Sequence, residues 1–153
     1  MSTRSQIGFY KKAETPLDKF EALLYRHSDG YPSGVLPDIL PFLSWWRKAR
    51  GIGDSEYCSA RLLQYLCNEY DKYSKRFGEE LEFTGTLGHG VCKTFQGDIE
   101  YFYKIYPDKV EVYDVPFFSY EGSEKEWLDN WKLIYTIDLE KDNIEEFLNK
   151  LKK

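Results

Sequence analysis

Apolar and polar positions alternate with a period of two through Ser5–Tyr10 and again through Lys19–His27. That alternation predicts two strands joined by the polar, proline-bearing segment Lys11–Asp18. In the second strand Phe20, Ala22, Leu24 and Arg26 fall on one face, and Glu21, Leu23, Tyr25 and His27 on the other. Beyond Gly34 the period lengthens, and Leu36, Leu40, Leu43 and Trp46 recur at helical spacing. Pro37 and Pro41 confine regular helix to the region around and after them, and Gly51 and Gly53 close it. Asp54 is placed to cap a second helix running to about Phe77, with Cys58, Leu62, Leu66, Tyr70, Tyr73 and Phe77 as its apolar stripe and Gly78 as its stop.

Glu82–Thr86 and the glycine-rich Gly85–Gly90 lead into a run of β character. Ile99–Tyr106 and Lys109–Val115 read as a hairpin turned by Pro107-Asp108, and Trp131–Ile137 as a further strand. Pro116–Asn130 follows neither period. A last helix is expected with Asp142 as cap, Glu145 at its capping-box partner position, and a stripe of Ile144, Phe147, Leu148 and Leu151. The order β-β-α-α-β-β-β-α predicts an α+β fold: a mostly antiparallel sheet with two central helices and a C-terminal helix packed on it, residues 1–153 forming a single domain.

Charge narrows the partners. The chain carries a net charge of −5 and no basic block larger than Lys11-Lys12 or Lys152-Lys153, so nucleic acid is disfavoured. No apolar run approaches the roughly 20 residues that span a bilayer, so no membrane role is expected. Three cysteines, Cys58, Cys67 and Cys92, are odd in number and form no metal-ligand pair. With no apolar leader, this predicts a reduced, cytoplasmic protein without metal or other cofactor. Aromatic residues make up 18% of the chain, a supply suited to a ring-filled core, to ligand pockets or to protein interfaces.

The densest chemistry lies in Tyr25-Arg26-His27-Ser28-Asp29-Gly30-Tyr31-Pro32-Ser33-Gly34, where five kinds of polar side chain are closed by turn formers. The two histidines, His27 and His89, both stand in turn-rich surroundings. If the loops converge, His27, Asp29, His89 and Asp98 form a two-histidine, two-carboxylate site; the plainer alternative leaves Asp29 bonding backbone amides and His27 solvated. Gly85–Gly90 offers backbone amides to an anion or is a flexible hairpin loop. Asp98 and Glu100, two apart, share a strand face from which they serve acid/base work, hold a cationic group, or decorate an edge.

These residues carry a resemblance. Ser2-Thr3-Arg4-Ser5 opening a strand, His27-Ser28-Asp29-Gly30-Tyr31-Pro32 and then a leucine-bearing helix resemble small uncharacterised proteins of phages, other mobile elements and their prokaryotic hosts, which share a Met-x-Thr-Arg start and a His-x-Asp-Gly-Tyr-Pro turn. Gly97-Asp98-Ile99-Glu100-Tyr101 is similar to a later motif of the same proteins. The resemblance covers mainly the first 45 or so residues. It implies no set activity and points to Arg4, His27, Asp29, Tyr31 and Asp98. A weaker likeness is to N-terminal nucleophile hydrolases, with Ser2 as nucleophile once Met1 is removed and Arg26-x-x-Asp29 as their paired motif.

Three functions remain open. The first is a small-molecule binder for a nucleotide or other anionic ligand, walled by Tyr25, Tyr31 and either Trp45 or Trp46, with Arg4 and Arg26 supplying charge and His27, Asp29, His89 and Asp98 orientation; under the mobile-element resemblance it acts as a counter-defence factor. The second is a small hydrolase or phosphodiesterase with His27 as base and Asp29 as its orienter. The third is a protein–protein module that meets a host protein or a second copy through Trp45-Trp46, Phe117-Phe118, Trp127, Trp131 and the acidic stretch Glu121–Asp129.

Overall fold

A computed structural model describes residues 2–76, 88–119 and 121–152. Six strands form one sheet: β1 (Ser5–Phe9), β2 (Ala22–Arg26), β3 (His89–Val91), β4 (Tyr101–Tyr106), β5 (Lys109–Asp114) and β6 (Lys132–Asp138), in the order β3-β2-β1-β4-β5-β6. Every pairing is antiparallel except β1 with β4, which run parallel with Ile7 opposite Tyr103. Helices α1 (Pro32–Ala49), α2 (Ser55–Arg76), α3 (Glu124–Asp129) and α4 (Ile144–Leu151) complete the α+β fold that the period changes predict.

Alternation along the strands divides the core in two. Ile7, Phe9, Leu24, Tyr103, Ile105, Val110 and Val112 face α1 and α2 and are shut off from solvent. α1 answers with Val35, Leu36, Ile39, Leu40, Leu43 and Trp46, each burial contributing about 1.5–3 kcal/mol. The opposite face carries Tyr10, Leu23, Phe102 and Tyr106 under a layer of Phe95, Trp127 and Trp131. The rings there meet edge-on or tilted, at 5.0 Å for Phe102–Trp131 and 5.2 Å for Trp127–Trp131. Gly8 makes this layer possible: a Cβ there would lie 2.6 Å from the Phe102 ring and 2.8 Å from that of Tyr10. Lys104, buried on this face, donates to the carbonyls of Ala13 and Thr15 at 2.6 and 3.0 Å and so pins the polar β1–β2 connection to the sheet.

Several boundaries differ from expectation. α1 begins at Pro32, which needs no N–H in the first turn, and runs through Pro37 and Pro41 rather than being confined by them. Each interior proline forfeits one intrahelical bond, a loss outweighed by the six-residue buried stripe. Gly51, at φ 84°, ends α1 with its N–H on the Trp46 carbonyl, and Asp54 caps α2 through the Tyr57 N–H at 3.3 Å, both as predicted. The hairpin turns at Pro107-Asp108, with Asp108 at φ 71°. α3 lies inside the stretch that follows neither period, capped by Ser123 on the Glu126 N–H. The cap of α4 is Asn143, on the Glu146 N–H at 2.9 Å, not Asp142. The Asp142 carboxylate instead accepts from the Asp138 N–H at 2.8 Å, which closes the turn after β6. The expected end of α2 at Phe77-Gly78, the segment Glu82–Thr86 and the glycine-rich loop before Gly88 lie outside the described residues.

Candidate functional site

The polar turn after β2 is held rigidly. Arg26 points to the helical face and is buried; its Nη1 donates to Asp38 at 2.7 Å, its Nε to the Ser28 carbonyl at 2.9 Å and its Nη2 to the Gly34 carbonyl at 3.3 Å. The guanidinium thus ties the strand end, the turn and α1 together, and each of its three nitrogens is engaged within the fold. Tyr103 Oη donates to the Gly30 carbonyl at 2.6 Å, and the Gly30 N–H to the Thr3 carbonyl at 2.9 Å. A Cβ on Gly30 would meet that carbonyl at 2.7 Å, so only glycine lets the turn close onto the chain before β1. At the tip Asp29 adopts φ 54° and accepts from Tyr31 Oη at 3.1 Å, a bond that raises the Tyr31 phenol pKa.

The residues singled out by sequence fall into three groups. Arg4, Tyr25, His27 and Asp98 gather on the sheet face opposite α1 and α2: Arg4 pairs with Asp98 at 3.1 Å, and Tyr25 Oη lies 3.2 Å from His27 Nδ1. Burial raises the Tyr25 phenol pKa, and the nearby Arg4 partly offsets the rise. Asp29 and Tyr31 form the exposed tip. Arg26 and His89, directly opposite each other in the β2–β3 register, occupy the helical face. The sheet therefore separates His27 from His89, and the four-residue site of two histidines and two carboxylates is not assembled. Among the described residues no group of three or more His, Cys, Asp or Glu is placed to hold a metal ion. His27 is hydrogen-bonded to Tyr25 and Asp29 to Tyr31, not to each other.

His89 has a distinct environment. Its ring stands edge-on to Tyr70 at 5.5 Å, and neither ring nitrogen has a hydrogen-bond partner among the described residues. Burial, with the charge of Arg26 beside it, pushes its pKa down to about 4. The register continues the row to Ser5, opposite Arg26 on the other side, whose buried Oγ also lacks a partner among the described residues. Burial pushes the Cys58 thiol up to about 12, which leaves it a poor nucleophile.

Among the described residues the most exposed large apolar side chain is Phe117, which the residue pattern does not distinguish from its neighbour Phe118. In Phe117-Phe118 and Trp45-Trp46 one member of each pair is inside and its neighbour outside: Phe118 stacks edge-on to Trp127 at 5.1 Å and Trp46 is buried, while Phe117 is 80% and Trp45 60% exposed. Trp127 and Trp131 are core residues. Phe117 is held out by an ordered frame, since Trp127 Nε1 donates to the Pro116 carbonyl at 2.7 Å and the Phe118 N–H reaches the Gly97 carbonyl at 3.4 Å. It stands between two clefts. One, of about 230 Å³, is lined by Asp98, Glu100, Tyr101 and Asp114; the other, of about 430 Å³, by Ser123, Glu126 and Trp127. Four carboxylates thus rim the ring, one of them, Asp98, already paired with Arg4. The sequence signal was present as a proline followed by two phenylalanines, but not which ring the core would take.

No protein-family model, no curated protein and no solved structure matches this chain.

Proposed function

We propose that this chain is a protein–protein interaction module whose docking surface is the acid-rimmed Phe117 ridge. The observation that carries this reading is a phenylalanine 80% exposed on a hydrogen-bonded frame between two clefts. A ring held in solvent by rigid neighbours loses little entropy on docking and supplies the apolar anchor that interfaces concentrate their energy in. The carboxylates around it select a basic partner surface and steer its approach. Three thiols without a disulfide fit a reducing compartment.

The test uses immobilised peptides in which lysine or arginine flanks one leucine or phenylalanine. Wild-type protein is expected to bind basic peptides and not their acidic counterparts, less tightly as salt rises, and Phe117→Ala to lose at least about tenfold in affinity. Equal binding by wild type and Phe117→Ala refutes the reading.

A second reading, a site for a small anionic ligand, is favoured by one specific observation: Arg4, Tyr25, His27 and Asp98 do meet on one face. There Arg4 is the half-exposed cation and Asp98 its competitor. Asp98→Asn is then expected to tighten binding of inorganic phosphate or a mononucleotide, measured by calorimetry; unchanged or weaker binding counts against that site.

A further inference from the structure

The fold also presents a hollow on the side of α1. The groove between α1 and α4 encloses about 670 Å³ and is lined by Trp45, Lys48, Ile144, Glu145, Leu148 and Lys152, among others. α4 is amphipathic, yet its apolar residues Ile144, Phe147, Leu148 and Leu151 are all only half-buried, and Trp45 beside them is 60% exposed. Two ammonium groups stand at this groove against one carboxylate. The Phe117 ridge has the opposite character in both respects: it projects, and four carboxylates surround it. We infer that the occupant of the α1–α4 groove is Phe117 of a second copy of this chain, its carboxylates meeting Lys48 and Lys152.

The inference rests on the docking reading above and names the basic partner as the chain itself. It accounts together for the two most exposed aromatic side chains among the described residues, Phe117 and Trp45. The groove is large enough to receive a phenylalanine ring with its neighbours, lying in the size range of pockets that bury whole ligands. Ridge and groove are different surfaces, so the contact is heterologous: each copy gives a ridge to one neighbour and a groove to another, and the assembly grows head to tail or closes as a ring.

Sedimentation velocity of the purified chain tests this. Wild type is expected to grow beyond the 18.2 kDa monomer as concentration rises and to revert toward it at high salt. Phe117→Ala and Trp45→Ala, each made at an exposed side chain, are both expected to remain monomeric. Mixed, they are expected to form a one-to-one dimer and nothing larger, because one retains only the groove and the other only the ridge. The mixture also shows that both variants are folded. A wild type that stays monomeric up to millimolar concentration overturns the inference, and so does a mixture that stays monomeric. If wild type is monomeric while basic-peptide binding still depends on Phe117, self-association falls and the docking reading stands. If neither is observed, both fall.

Discussion

Lowering the pH from 7 to 5 tests the burial of His89 directly. Its imidazole sits beside Tyr70 and Arg26 with both nitrogens shut off from solvent, and its pKa falls from 6.5 to about 4. The unfolded chain therefore binds a proton that the folded chain refuses throughout the window between those values. A depressed histidine pKa contributes stability that is present in full above the unfolded value and is lost as pH falls toward the folded one. Each pKa unit is worth about 1.4 kcal/mol, which gives a loss of about 2 kcal/mol between pH 7 and pH 5 and about 3 kcal/mol by pH 4. Asp138, held below its usual 3.8 by the Lys141 N–H and Lys109, keeps its contribution in place from pH 7 to 5 and loses it only at lower pH. The assay is urea unfolding of wild type and His89→Phe at pH 7, 6 and 5. His89→Phe keeps the ring against Tyr70 and cannot be charged, so its stability is expected to fall less than wild type's by about 2 kcal/mol across the interval. Parallel pH profiles for the two proteins would refute the reasoning, because His89 would then be solvated in the folded state.

Substitutions at four positions test the packing. Arg26→Ala leaves Asp38 and two carbonyls without their donor and is expected to lower unfolding free energy by about 3 kcal/mol, with Arg26→Lys recovering only part of it. Gly8→Ala, whose methyl would press on Phe102 and Tyr10, is expected to cost about 1–3 kcal/mol and to shift tryptophan emission as the aromatic layer repacks. Asn143→Ala is expected to cost about 1 kcal/mol by removing the α4 cap, seen as a lower midpoint in thermal unfolding. Phe117→Ala is expected to leave stability within about 0.5 kcal/mol in the same assay, since the ring touches so little of its own chain.

What could be read from the residue pattern, and what could not, divides on physical grounds. Strong periods gave up β1, β2, the hairpin and both long helices, because those elements bury one face and the face is written into their spacing. α3 escaped because six residues are too few to show a helical period; its signal was the cap, Ser123 three places before Glu126. Asp142 and Asn143 are adjacent residues of equal capping propensity, and the choice between them was made by the turn after β6, where Asp142 is taken up by the Asp138 N–H four residues back. For the candidate site, strand parity correctly put Arg26 and His27 on opposite faces. The partner of His89 was a matter of which strand lies beside β2, and no local pattern carries that. Nor does a doublet such as Phe117-Phe118 state which ring the core accepts.

The parallel pairing of β1 with β4 orders events during synthesis. β1 is interior to the sheet, with β2 on one flank and β4 on the other, and the second flank is supplied by residues about a hundred positions later in the chain. Ile7 and Phe9 can find β2, α1 and α2 as soon as those emerge, but the far side of β1 stays an open edge until Tyr101–Tyr106 has left the ribosome. Through that interval the nascent chain exposes an unpaired, apolar strand, the form of chain most prone to joining another. A slowdown in translation anywhere between α2 and β4 lengthens that exposure, so the yield of folded protein becomes a function of elongation rate as well as of final stability.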